Sequence, residues 1–360
     1  MLGQWTEGRN NNLDALRLVG AVLVIFAHSF PIHGLPDVVP PFYKSYGTLG
    51  VAIFFIISGF LITQSYIRSK NPVRFIWARF LRIFPALIVV TLFLVFILGP
   101  LLTTLPKVEY FLHPWTRTYL RGAISLYEVT RYTVLPGVFM SNPIVQTNGP
   151  LWTLQYEWSF YIVVLLLGIT TLLQRRWVVP SLFVFSLVLT YLNVGGDSNL
   201  YWTPVRFLPA FFMYFIFGAL AFLYRDQIPM SLGAFLFVVV MLGIVSLKDG
   251  FSDHLFVFFL GYLVLYLGFS PKVRLSWLTK NGDFSYGLYI WGWPVQQTVF
   301  YFLGHAVNVW IQFLVSLVIA LFFAILSWHL VEKRMLRFKN IEFNFPTARV
   351  IKGENYENRD

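Results

Sequence analysis

The chain has 360 residues, 57% of them hydrophobic and 19% aromatic against only 12% charged, with a mean hydropathy of +0.67. A soluble domain carries about a quarter charged residues, so this composition excludes a surface that meets water on every side and demands hydrocarbon as solvent. The formal charge of +11 raises a nucleic-acid reading that the placement of the basic residues removes, and the lack of cysteine excludes disulfides, thiolate metal sites and acyl-cysteine chemistry.

The opening MLGQWTEGRNNN has no basic region leading to a small-residue cleavage site. No removable signal peptide is therefore expected, and the first apolar stretch stays as a helix. Crossing a core of about 30 Å takes roughly 20 apolar residues. That ruler predicts an all-α polytopic protein with ten spans: Leu13–Ile32, Thr48–Tyr66, Phe80–Leu98, Leu154–Leu173, Val178–Val194, Val205–Tyr224, Ser231–Leu247, His254–Phe269, Phe284–Leu303 and Val309–Leu330. The eighth is short, and Gly and Pro interrupt the sixth and ninth.

With the N-terminus in the cytoplasm, nineteen of the 27 basic residues fall on the inner side, from Arg9 through the group Arg68 to Arg82 to the tail beyond Lys333. Seven fall outside: Lys44, Lys107, Arg117, Arg121, Arg131, Arg206 and Lys248, and Arg17 lies within the first span. This bias fits an even number of helices with both termini cytoplasmic. One membrane domain is expected through residue 338, followed by a loose polar tail from Lys339. The segment between the third and fourth spans, residues 99–153, is long and rich in Tyr, Trp, Pro, Thr and Arg. Loops of that length are usually functional. Its aromatics suit either stacking on sugar rings or anchoring at the membrane interface.

In the first span, LDALRLVGAVLVIFAHSF, Arg17 and His28 are eleven residues apart, about 20° from a shared face and about 16 Å apart along the axis. Asp14 precedes Arg17 by three residues and neighbours it on that stripe. A lone His is usually structural, but three such groups on one stripe are expensive against lipid and point to a polar cavity. The second span carries ISGF, where Ser58-Gly59 suits close helix approach; a nucleophilic serine there has no adjacent base in sequence. Arg79 and Arg82, in RFIWARFLRIFP, share a face at the mouth of the third helix. They suit either ordinary anchoring or phosphate recognition.

Glu157, in NGPLWTLQYEWSFY, is the single acidic residue of the fourth span. Placed near the depth of His28, it would orient the imidazole; alternatively it pairs with an Arg of the long loop. The ninth span, NGDFSYGLYIWGWPVQQ, reads as a helix broken at Gly292 and Pro294, with polar Gln296 and Gln297 beyond. In the last span, SWHLVEKR, Glu332 and Lys333 leave the membrane and His329 reads as structural.

In these segments the sequence resembles the acyltransferase family 3 membrane proteins, O-acyltransferases of bacterial surface polysaccharides and related glycans. The resemblance runs from Leu13 to about Arg334 and rests on LDALR followed by His28, FFIISGFL, RFLRIFP, GPLWTLQYEWSFY, GDFSYGLYIWGWP and VEKR in that order. It implies ten helices in the cell inner membrane, a cytoplasmic acyl-CoA donor, most commonly acetyl-CoA, and a saccharide hydroxyl as acceptor, possibly lipid-linked. No permanently bound cofactor, metal or nucleic acid is implied; membrane lipids are the other partner. His28 would be the base or transient acyl acceptor, with Glu157 as its orienting group. Arg17, Arg79 and Arg82, with Asp14 and Ser58 beside them, would form the donor side. Many members have a His where this chain has Gly292, which removes one candidate group. Some carry a fused extracytoplasmic esterase-like domain; here transfer would be direct or use a separate partner. The rival classes are a transporter or flippase, against which no repeat between the two halves is found, and a membrane scaffold.

Overall fold

A computed structural model describes residues 1–7, 11–40, 45–126, 133–194, 199–200, 203–205, 207–246 and 253–341. Arg9, Lys44, Arg131, Arg206, Lys248 and the tail beyond residue 341 lie outside the described residues, as do the ends of some expected spans. Each of the ten expected apolar stretches contains one main helix: α1 (Leu13–Ile32), α2 (Tyr46–Ser69), α3 (Pro72–Phe93), α4 (Thr153–Ile169), α5 (Val178–Tyr191), α6 (Phe207–Leu223), α7 (Leu232–Ser246), α8 (Asp253–Phe269), α9 (Ser285–Leu303) and α10 (Val309–Ser327). Among the described residues the one extended pairing is a two-residue ladder, Asn199–Leu200 against Thr203–Pro204.

Five helical segments are long and apolar enough to cross a membrane by length and composition: Leu13–Ile32, Tyr46–Ser69, Pro72–Leu102, Pro150–Ile169 and Val309–Asn340. The others are shorter apolar helices, except α9, whose Tyr, Trp, Gly and Gln lower its hydropathy. The helices differ in how deeply they sit in the bundle. In α2, 78% of the apolar stretch is buried; in α10, only 28% is. Side chains such as Leu314, Val318 and Phe322 of α10 stay exposed, as a lipid-facing surface requires.

Two close helix approaches fix the centre. A Cβ on Gly59 of α2 would strike the Phe215 carbonyl of α6, and one on Gly218 of α6 would strike the Ile56 carbonyl of α2. Gly20 of α1 meets Gly50 of α2 in the same backbone-to-backbone manner. The expected small-residue packing at Ser58-Gly59 is therefore present.

Three expectations are corrected. The third helix starts at Pro72, not Phe80: the Asn71 side chain accepts the Arg74 N–H at 3.0 Å and Pro72 occupies the first turn. Arg74, Arg79 and Arg82 are thus helical, and only a tight turn through Lys70, in the left-handed region at φ 48°, joins α2 to α3. The ninth helix is continuous through Pro294. Proline removes the hydrogen bond to the carbonyl four residues back, here that of Ile290, and Asn148 Nδ2 supplies the missing donor at 3.0 Å. The start of the tail is docked: Arg74 donates to Asn340 Oδ1 at 2.6 Å and the Trp77 indole N–H to the Phe338 carbonyl at 3.0 Å.

The described residues of segment 99–153 likewise hold more than a bare loop. α3 runs on through a π-helical turn (Leu94–Leu98) to Leu102, and two short helices follow, Lys107–Leu112 and Pro114–Ser125. The Val95 carbonyl in that π turn accepts the Tyr110 hydroxyl at 2.9 Å. Of the loop aromatics, Tyr110 and Tyr119 are buried packing groups and Trp115 is exposed. The far end of the segment is stitched to α9: Gln297 donates to the Ile144 and Gln146 carbonyls, Asn142 donates to Gln297, and the Trp293 indole N–H donates to the Gln146 carbonyl.

Candidate active site

α1 carries the site's two ends on one face. Near its N-terminus Arg17 lines a chamber of about 280 Å³; three turns on, His28 lines a second of about 500 Å³. The chambers abut, because Val51, Thr153 and Tyr289 form part of both walls.

The first chamber is cationic. Arg17, Arg79 and Arg82 line it, with Lys339 and Leu336 from the turn after α10. The two arginines of α3 are not equivalent. Arg82 Nη2 lies 2.5 Å from Asp283 Oδ2, and its Nη1 is 3.8 Å from Glu332. Arg17 reaches the same Asp283 oxygen at 3.8 Å and Asp14 at 3.5 Å. Asp283 also accepts the backbone N–H and hydroxyl of Ser285, at 3.2 and 2.5 Å, where α9 begins. Burial would raise this carboxyl, but the Arg82 and Arg17 guanidiniums outweigh it and hold it below the usual carboxylate range. For Arg79, by contrast, no described carboxylate lies within ion-pair distance. Its Nε is buried without a hydrogen-bond partner, and its guanidinium sits 5.8 Å from the Phe75 ring centre. Arg79 therefore has donors to spare for an anion, whereas Arg82 is committed to the protein.

Glu157 lines this first chamber and does not line the chamber of His28. Its Oε1 accepts the Ser58 hydroxyl at 3.3 Å and the Tyr161 hydroxyl. Among the described residues neither alternative from the sequence, orientation of His28 or pairing with an arginine of the long segment, is realised. Glu157 is one turn along α4 from Thr153, on the Arg17 side of the junction, a height that hydropathy alone does not give. Ser58 is thus a chamber residue as well as a packing one. Asp14 contacts Arg17 but is about half exposed and is not part of the lining.

The second chamber is of a different kind. Among its described lining residues there is no Lys or Arg and one carboxylate, Asp37; the rest are apolar or carry hydroxyl, amide or indole groups. The His28 ring stands edge-on to Trp293 at 4.9 Å between centres. Trp293 is itself fixed through its N–H to Gln146, so the imidazole has one rigid wall. Thr133, Gln146, Gly149, Pro150 and Trp152 of the long segment roof the cavity. Gly292 faces Ile25 of α1 and lines neither chamber.

Several site residues were not singled out from sequence. Asp283 stands in GDFSYG, where a carboxylate before an apolar helix is itself a signal. Glu332, which the sequence places where the chain leaves the membrane, is 2% exposed and faces Arg82. Tyr289 and Asn148 carry no local signal, because their partners are distant in the chain, whereas Tyr161 lies one turn from Glu157 on the same helix. His329 is exposed and lines neither chamber. Among the described residues, no cluster of three or more potential ligands suits a metal ion.

The sequence pattern of one family, described as an acyltransferase domain, matches residues 10–329. The chain is similar to an O-acetyl transferase of Shigella phage Sf6, at 29% identity over 91% of this chain and 96% of that protein. It is also similar to nodulation protein 10 of Rhizobium leguminosarum bv. viciae, at 30% identity over 93% and 95% of the two chains. No solved structure matches it. A multi-pass helical protein with this site and a match spanning nearly its whole length belongs to the acyltransferase family that its motifs resemble, and it is a membrane acyltransferase.

Proposed function

We propose that the protein is an inner-membrane O-acetyltransferase that carries an acetyl group from acetyl-CoA at the arginine chamber to a saccharide hydroxyl in the His28 chamber. The observation that carries this reading is the pair of abutting cavities, one lined by guanidiniums and one by an imidazole. Guanidinium groups suit the phosphates of a coenzyme A donor, and Arg79 has donors free for them. The Glu157 carboxylate, beside Ser58 and Tyr161, is an acceptor suited to the amide N–H groups of a pantetheine arm. A cavity of hydroxyls, amides and indoles suits a sugar, and Trp152 and Trp293 offer it apolar faces.

In the reaction, the thioester C–S bond breaks and a C–O ester bond forms. His28 takes the acceptor's hydroxyl proton, and the leaving thiolate is protonated to free coenzyme A. A variant of the same step has the imidazole carry the acetyl group first and pass it to the hydroxyl. The phage relative's name, an O-acetyl transferase, supports acetyl as the acyl group and oxygen as its destination.

The test is incubation of the purified full-length protein in proteoliposomes with radiolabelled acetyl-CoA and a panel of free and lipid-linked oligosaccharides. Base-labile label on a saccharide is the expected result. Translocation of a lipid-linked saccharide with no ester formed would replace this reading by a flippase.

The membrane arrangement that goes with this reading has ten crossings, both termini and the arginine chamber cytoplasmic, and the long segment outside. The bias of nineteen basic residues against seven supports it. The chain has no cysteine, so single-cysteine variants report cleanly. Trp115→Cys, at an exposed position of the long segment, should react with a membrane-impermeant maleimide in intact cells whose outer barrier has been opened. Trp177→Cys and Trp277→Cys, also at exposed positions, should react only after the inner membrane is permeabilised. The reverse labelling pattern would invert the protein.

A further inference from the structure

Any acyl group that travels from the arginine chamber to His28 passes the place where the two cavities meet. Val51 of α2, Thr153 of α4 and Tyr289 of α9 are the residues there, and all three are buried. None is free to swing aside. The Tyr289 hydroxyl donates to the Pro150 carbonyl at 2.7 Å and is hydrogen-bonded to the Thr153 hydroxyl, while its ring stands 5.9 Å from Phe54. Breaking these bonds would leave buried polar groups unmatched. Val51 is β-branched, and in a helix its χ1 is held essentially to one rotamer.

We propose that Val51, Thr153 and Tyr289 form a fixed aperture that sets the size of the transferred acyl group, admitting acetyl and holding back longer chains. This rests on the two-chamber transfer reading above. It bears on the acyl group and not on the pantetheine arm, which stays on the arginine side: the thioester C–S bond breaks at the junction as the ester C–O bond or a C–N bond to His28 forms, and a C–N bond so formed breaks when the C–O bond is made. A longer acyl group would bring its extra methylenes to a wall tied down by hydrogen bonds. The selection therefore acts on transfer, not on donor binding, which is decided at the arginines.

The experiment uses the full-length protein in proteoliposomes, acetyl-, propionyl- and butyryl-CoA, and the oligosaccharide that accepts most acetyl label. Wild type should transfer acetyl far better than butyryl while binding the two donors with similar affinity. Val51→Ala should raise the butyryl-to-acetyl transfer ratio by about tenfold, the scale on which one methylene is discriminated in a packed pocket. Tyr289→Phe keeps the ring but frees it from both hydrogen bonds, and should shift the ratio the same way; it covers the case in which the valine variant does not fold. An unchanged ratio in folded variants that still transfer acetyl overturns the aperture and leaves the two-chamber reading standing. Equal transfer of acetyl and butyryl by wild type, or discrimination residing in donor binding, also overturns it. Failure of wild type to transfer acetyl at all overturns the reading beneath it.

Discussion

His28→Ala is expected to lower acetyl transfer to saccharide by about 10²–10⁴-fold, the range over which a positioned general base accelerates a proton transfer. Donor binding should change little, because His28 lines the second chamber and the arginines line the first. The fold should survive. Among the described residues the ring's one aromatic neighbour, Trp293, is held separately by Gln146, and loss of a partly exposed side chain beside an existing cavity leaves little to collapse. The two chemical roles of His28 separate in one further measurement. With radiolabelled acetyl-CoA and no acceptor, a nucleophilic imidazole retains label on wild type and not on His28→Ala. A base retains it on neither. Transfer by His28→Ala at the wild-type rate would remove the imidazole from the chemistry.

The second large effect is a split between two arginines that sequence spacing treats as a pair. Arg79→Ala should weaken acetyl-CoA binding by about 10- to 100-fold, the worth of one or two hydrogen bonds between charged groups, and leave thermal stability nearly unchanged. Arg82→Ala should do the reverse and lower stability by about 3–5 kcal/mol, since it strands buried carboxylates that the guanidinium had matched. Asp283 and Glu332 are those carboxylates, with side chains only 9% and 2% exposed. Asp283→Asn combined with Arg82→Met should recover part of the loss, because it removes one stranded charge along with its partner. Donor affinity and melting temperature in detergent, measured on all three variants, decide the matter. Equal effects of the two arginine changes on both quantities would restore them to a single role.

How far each feature could be read from the chain depends on how far apart in sequence its parts lie. The ten apolar stretches and the shared face of Arg17 and His28 follow from local rules, the length of helix that hydrocarbon demands and the 3.6-residue turn. A helix lies in each of the ten stretches. The earlier start of the third helix was also local and legible, in the Asn71-Pro72 pair; a ruler of apolar residues alone passes over it because the first turns of that helix are polar.

What the fold alone decided lies in contacts across long stretches of chain. Arg82 meets Asp283 and Glu332, Asn148 repairs the carbonyl that Pro294 leaves unpaired, and Glu157 meets Ser58 and not His28. The height of a residue within the bundle depends on how antiparallel helices are offset, and close approaches such as Gly59 to Phe215 set that offset. No periodicity within one helix encodes it. The sequence by itself therefore determined a multi-helix membrane protein with Arg17 and His28 on one stripe. Only the packing of α1, α2, α4 and α9 divided that stripe into two chambers and gave Arg79 and Arg82 different work.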